Sequence, residues 1–260
     1  MLMNRSLYFF ALSLTLALWA CNRVAETNGL RVAVAANAQF VMQELADSFS
    51  HKAGYPVETV VGSSGKLKAQ IEHGAPFDLF VAADTAYPNA LIDADAAVDS
   101  VQVYAYGALA IWINAPLNIN KQLALVVDTG VHKIAIPNPE LAPYGQRTVE
   151  MLQNVFLWDK VKDKVVFGES IAQTSQYVES GACEMGFVSK SVVMAPQMRG
   201  KGDWVELSPS LYRPIPQGMV ITRHGREKHP DQSRAFAGYL MSEEGQKIFK
   251  KYGYRRALDQ

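Results

Sequence analysis

The stretch Leu30-Arg31-Val32-Ala33-Val34-Ala35-Ala36-Asn37-Ala38, running on into Gln39-Phe40-Val41-Met42-Gln43-Glu44-Leu45-Ala46-Asp47-Ser48-Phe49-Ser50, decides the fold class. Residues 30–36 form an apolar run of strand length, rich in valine and alanine. From 39 to 50 the period changes. Val41, Leu45 and Phe49 recur at i, i+4 and i+8, with Met42 and Ala46 beside them, the spacing of an amphipathic helix. A strand that turns within a few residues into a helix is the building unit of a mostly parallel sheet with helices on both faces.

The alternation continues outward from there. Gly54-Tyr55-Pro56 breaks the first helix, 57–61 reads as a second strand, and 66–73 as a short helix closed by Gly74 and Pro76. Residues 77–83 are nearly all apolar, as a strand covered on both faces requires. Further strands are read at 108–113, 133–136, 165–167, 185–188 and 218–222. Helices are read at 147–157, 171–179, 231–241 and 243–252. The runs 104–114 and 214–222 are natural crossovers between two lobes. Lobe one is then 29–106 plus 217–260, lobe two is 107–216, and the two connections form a hinge.

The first 21 residues are set apart from this pattern. Arg5 precedes an uncharged, mostly apolar run at 7–20, too short to span a bilayer and of the length of a signal-peptide core. Leu18-Trp19-Ala20-Cys21 resembles a bacterial lipoprotein box, although Trp19 stands where a small residue is usual. An exported protein is expected, lipid-anchored through Cys21 or, as the alternative, soluble. Cys183 is then left without a partner, which excludes a disulfide framework and a cysteine-rich zinc site. Lys plus Arg and Asp plus Glu both number 25, so the chain has no basic excess for nucleic acid. It also has no net field to steer an anion, and any anion site must be built locally.

Four turns share one design. Ala35-Ala36-Asn37-Ala38, Gly62-Ser63-Ser64-Gly65, Pro143-Tyr144-Gly145 and Gly168-Glu169-Ser170-Ile171 each lead from an apolar stretch into a helix. Such turns present free backbone N–H groups and the positive end of a helix dipole, a setting for an anion at the carboxyl ends of the strands. Asn and Ser in these places are also ordinary helix N-caps. Two turns come from each lobe, so closure points all four at the cleft. A fully deprotonated oxyanion accepts hydrogen bonds only, and N–H, amide and hydroxyl donors suit it. Glu169 is the one acid in the four turns. Lys66 and Lys68 are read as solvated.

No enzyme motif accompanies these turns. Gly62-Ser63-Ser64-Gly65-Lys66 is too short between its glycines for a phosphate-binding loop, and Leu67 stands where Ser or Thr is needed. Neither Ser64 nor Ser170 lies in a nucleophile elbow. The five histidines, His51, His73, His132, His224 and His229, lack the spacing of a helical zinc motif. No cofactor and no metal cation are expected.

At these turns the sequence resembles the periplasmic molybdate-binding proteins of molybdate ABC importers. The likeness runs from Leu30 to about Tyr254. It is carried by Val32-Ala33-Val34-Ala35-Ala36-Asn37, Gly62-Ser63-Ser64-Gly65 and the long block at 70–84, Gln70 through Pro76-Phe77-Asp78-Leu79-Phe80 to Asp84. Pro137-Asn138-Pro139-Glu140, Ala142-Pro143-Tyr144-Gly145 and Gly186-Phe187-Val188 add to it, as does the C-terminal block at 244–253. The resemblance implies a two-lobed periplasmic-binding-protein fold and a site made by Asn37 and Ser64 from lobe one with the backbone N–H groups of Tyr144 and Ile171 from lobe two. It implies a monomeric carrier of molybdate or tungstate, not an enzyme, that delivers to an importer permease and its ATPase. Ser189 stands where some members of the family add a tyrosine hydroxyl and is too short to replace it. Sulfate, phosphate or an organic anion is the alternative ligand.

Overall fold

The computed structural model describes residues 29–256. The leader and the lipidation expected at Cys21 lie outside the described residues. Lobe one opens with β1 (Leu30–Ala35), which passes through a 3₁₀ turn at Ala36–Ala38 into α1 (Gln39–Ala53). It continues with β2 (Val57–Gly62), α2 (Ser64–Glu72), β3 (Leu79–Val81), α3 (Ala86–Asp93) and β4 (Ala97–Gly107). Lobe two holds β5 (Leu109–Ile113), a 3₁₀ segment at Ile119–Val127, β6 (Ile134–Pro137), α4 (Pro143–Asn154) and α5 (Trp158–Val161). β7 (Val165–Gly168), α6 (Ile171–Glu179), β8 (Met185–Ser189), α7 (Lys190–Val193) and β9 (Asp203–Glu206) complete it. The chain then returns through β10 (Ile215–Thr222) and ends with α8 (Arg223–Lys228), α9 (Pro230–Met241) and α10 (Glu243–Lys251).

The two sheets have the same plan. Their strand orders are β2-β1-β3-β10-β4 and β7-β6-β8-β5-β9. β1 is parallel to β2 and β3, and β10 is antiparallel to β3 and β4. Likewise β6 is parallel to β7 and β8, and β5 is antiparallel to β8 and β9. Each sheet is therefore mixed, with a single reversed strand among four that share a direction. The reversed strand is in each case the one that has just arrived from the other lobe. It starts at the lobe boundary and must run away from it, whereas β1 to β3 and β6 to β8 run towards it. β4 and β10 are paired where they cross, Gly107 opposite Ile215 and Tyr106 opposite Pro216, so the crossing is a two-stranded ribbon.

Alternation along the strands divides the core of lobe one. Val32, Val34, Leu79 and Val81 face α1, α9 and α10, where they meet Met42, Leu45, Phe236 and Phe249. Ala33, Phe80, Ala82 and Val220 face the other way, onto Leu67 and Ile71 of α2 and Leu91 of α3. Both faces of the sheet are buried, which is why its central strands read as unbroken apolar runs. Six elements were not legible in the sequence: α3, β4, α5, α7, β9 and α8. β4 carries register shifts against β10 and a left-handed Asp99, which interrupt its period of two. α3 has Pro88 in its first turn, where a helix tolerates it.

Candidate functional site

The four turns meet. Ala36, Asn37 and Ser64 from lobe one, with Pro143, Tyr144 and Ile171 from lobe two, line one small cavity between the lobes. Asn37, Ser64, Tyr144 and Ile171 are all almost fully buried. No Asp, Glu, Lys, Arg or His among the described residues lines it.

Each donor is placed by local chemistry. α4 begins at Pro143, four residues earlier than its apolar period suggests, because Pro fits the first helical position and supplies no N–H. The Gly145 and Gln146 N–H groups bond back to the Ala142 carbonyl, leaving the Tyr144 N–H as the free donor of that end. Ser170 caps α6, its Oγ accepting from Gln173 N–H, so Ile171 begins the helix with its N–H free. Ser63 caps α2 in the same way through Lys66 N–H. The Ser64 Oγ accepts from Ala83 N–H at 3.0 Å, just past the end of β3, and keeps its hydroxyl proton to give.

Asn37 differs from expectation. Its amide Nδ2 donates to Gln217 Oε1 at 2.7 Å and to Tyr254 OH at 2.9 Å. Gln217 is itself fixed, because its Nε2 donates to the Ala83 and Ile215 carbonyls and only Oε1 is left to accept. Both Asn37 side-chain hydrogens are thus committed to the hinge, and Asn37 Oδ1 is buried without a partner. What Asn37 can offer the cavity is its main-chain N–H, in the 3₁₀ turn that opens α1. Neither Gln217 nor Tyr254 was singled out from the sequence, and nothing local marks them, since they lie 180 and 217 residues away.

The Tyr144 side chain leaves the cavity and lies against the hinge. A side chain at Gly107 would collide with its hydroxyl, so only glycine lets the ring pass β4 there. Burial, and then the neighbouring phenols of Tyr254, Tyr104 and Tyr212, push that hydroxyl well above the usual tyrosine range. It stays neutral.

Contacts between the lobes ring the cavity. Gly65 N–H donates to the Leu141 carbonyl at 3.0 Å, and Tyr87 OH donates to the Glu140 carbonyl at 3.0 Å. Ser191 Oγ donates to the Asn37 carbonyl at 2.7 Å. Lys66 and Glu169 form an ion pair of 2.5 Å at the rim, each about half exposed. Glu169 therefore faces its lysine and not the cavity, while Lys68 pairs with Glu72 along α2. Ser189 is buried within hydrogen-bond distance of Ser191 Oγ and does not line the cavity.

The sequence profile of the bacterial extracellular solute-binding proteins matches residues 30–255. The chain belongs to this family. Among its relatives, the solute-binding protein is 35% identical to the molybdate-binding protein ModA of Azotobacter vinelandii, over 97% of this chain and 99% of that one. It is 33% identical to the molybdate-binding protein ModA of Rhodobacter capsulatus, over 85% and 86% of the two chains. The solved structure of the Azotobacter vinelandii periplasmic molybdate-binding protein superposes with a TM-score of 0.81 at 30% identity, covering 86% of this chain and 98% of that one. The resemblance read from the turns, and with it the two-lobed fold, is borne out.

Proposed function

We propose that this protein captures molybdate, and tungstate with it, in the interlobe cavity and hands it to an ABC importer. The observation that carries the reading is the cavity itself: four strand-to-helix turns, two from each lobe, close on a space with donors on its wall and no charged side chain. In this reading Ser64 gives its hydroxyl, and Asn37, Tyr144 and Ile171 give main-chain N–H groups. The helix dipoles and several charge-assisted hydrogen bonds then hold a dianion without a counter-ion. The names of the relatives support the choice of molybdate among oxyanions.

The lobes, 29–106 plus 217–260 and 107–216, move about the β4–β10 ribbon in this reading. The protein works outside the cytoplasm as a monomeric carrier, not an enzyme, anchored by lipid on Cys21, and docks on a permease with its ATPase. Calorimetric titration of the mature chain with molybdate, tungstate, sulfate and phosphate in turn is the test. One-to-one binding of the first two, with the others silent, is expected. Saturation by sulfate or phosphate in preference to molybdate would replace the ligand, and silence for all four would remove the oxyanion.

A further inference from the structure

A second cluster of polar side chains lies at the other end of the lobe-one sheet. Asp78 immediately precedes β3, whereas Ala83, beyond the end of that strand, touches the oxyanion cavity. Five residues of extended chain separate them by roughly 17 Å. Asp78 is buried and held from three sides. Its Oδ2 accepts from Arg31 N–H at 2.7 Å, its N–H donates to the Arg31 carbonyl at 2.7 Å, and its own carbonyl accepts from Thr222 N–H at 3.1 Å. The carboxylate is thereby oriented, and Oδ1 is the oxygen left over.

Two imidazoles converge on that oxygen. His229 Nδ1 lies 2.9 Å from Asp78 Oδ1 and His224 Nε2 lies 3.8 Å from it. All three atoms fall within 4.8 Å of one another. The two rings are inclined at 70° with centroids 6.1 Å apart, so they approach from different directions instead of stacking. α8 makes this possible. Thr222 caps it, its Oγ1 accepting from Gly225 N–H at 3.0 Å. Gly225 lies flat against the Asp78 carbonyl, where any side chain would collide. The short helix can therefore sit close enough for His224 in its first turn and His229 just past its end to reach one carboxylate.

We propose that Asp78, His224 and His229 form a binding site for a divalent transition-metal ion, with zinc as the best match. Two imidazoles and one carboxylate are a zinc donor set, and an all-oxygen cation such as calcium or magnesium would not choose it. Tetrahedral zinc with bonds of about 2.0–2.1 Å sets its ligands about 3.3–3.4 Å apart. The distances from Asp78 Oδ1 straddle that value, so small ring movements complete the geometry. The Arg31 N–H that fixes Oδ2 is the outer-shell support such sites use. His224 also lines an open cavity of about 300 Å³, in which Asp95 pairs with Arg223 and Glu72 with Lys68. That gives an ion access from solvent and leaves room for water as a fourth ligand. The ion would clamp the returning β10–α8 segment to the start of β3, away from the oxyanion cavity. Spacing could not reveal this site, because His224 and His229 are five apart, off the helical i, i+4 repeat, and Asp78 is remote in sequence.

The test uses the mature, tag-free chain stripped with EDTA. Zinc is titrated in competition with a chromophoric chelator, cobalt(II) serves as the spectroscopic probe, and melting is followed with and without zinc. One equivalent of zinc, a rise in Tm and a tetrahedral cobalt spectrum are expected. His224→Gln and His229→Gln should each weaken zinc at least about tenfold, while molybdate titration stays as in wild type. His224 is the decisive position, since it makes no close hydrogen bond to Asp78 and its replacement leaves the Asp78–His229 contact in place. Absence of stoichiometric zinc binding in the wild type, or unchanged zinc affinity in His224→Gln, would overturn the assignment.

Discussion

Replacing Ser64 by alanine separates two roles that one hydroxyl plays. Its oxygen accepts from the buried Ala83 N–H at 3.0 Å, and its proton is free for a ligand. Removing the oxygen orphans a buried N–H, at about 1–3 kcal/mol of stability. At about 2–4 °C per kcal/mol for a chain of this size, the ligand-free Tm should fall by several degrees. Removing the proton takes away a hydrogen bond to a charge, worth about 1.5–3 kcal/mol. That corresponds to a molybdate Kd about 10- to 150-fold weaker. Calorimetric titration reads the second effect and thermal unfolding of the ligand-free protein reads the first. A Kd equal to wild type alongside a lowered Tm would refute the donor role and leave Ser64 as a strut between α2 and the end of β3.

Further substitutions test the frame around the cavity. Asn37→Asp replaces the amide that donates to Gln217 Oε1 and Tyr254 OH with an acceptor and sets a negative charge at the cavity wall; molybdate affinity should drop on the order of 100-fold, measured by titration. Gly107→Ala drives a methyl group into the Tyr144 hydroxyl, so both melting and titration should report a loss of about 1–3 kcal/mol. Glu184 accepts from His132 N–H at 3.1 Å and Lys133 N–H at 2.7 Å. Burial raises its pKa, but these backbone donors outweigh burial and the net shift is downward. Its contribution to stability is therefore present above the unfolded glutamate value, about 4.3, and is lost as pH falls through the lower folded value. Urea unfolding should show a shallower acid limb in Glu184→Gln. Cys183 is buried and its thiol is pushed up, chiefly by that burial, so Ellman's reagent at neutral pH should label it only after denaturation.

The turns were legible because each is a change of period punctuated by Gly, Ser, Asn or Pro, and those residues act within a few positions of themselves. The limits of α6, Ile171–Glu179, follow from Ser170 as its cap and from its own periodicity. Strand direction is not written locally. That β10 and β5 run against their neighbours follows from where the chain re-enters each lobe. The orientation of the Asn37 amide was out of reach for the same kind of reason. It is dictated by Gln217, whose own orientation is dictated by the carbonyls of Ala83 and Ile215. Asp78, His224 and His229 likewise share a site only because β3 and β10 are adjacent in the sheet.

The division of donors between lobes bears on how such a site closes. In the proposed reading neither lobe alone surrounds the oxyanion, and the ion is the link between them. Besides apolar packing that joins the two cores, the direct links include the hydrogen bonds from Gly65, Tyr87 and Ser191, worth about 0.5–1.5 kcal/mol each, and the half-exposed Lys66–Glu169 pair, worth about 0–1 kcal/mol after screening. Water can replace each of these polar links when the cleft opens. Turning a mostly open population into a mostly closed one takes about 5.5 kcal/mol of differential binding. Two or three hydrogen bonds to a charge, at about 1.5–3 kcal/mol each, supply that, and two donors contributed by the second lobe are about the number required. A lysine inside the cavity would bind the ion just as firmly in the open lobe, and would add affinity without driving closure. Dipoles and N–H groups split across a hinge make binding and closure a single event, which a neutral chain can achieve with its lysine kept at the rim.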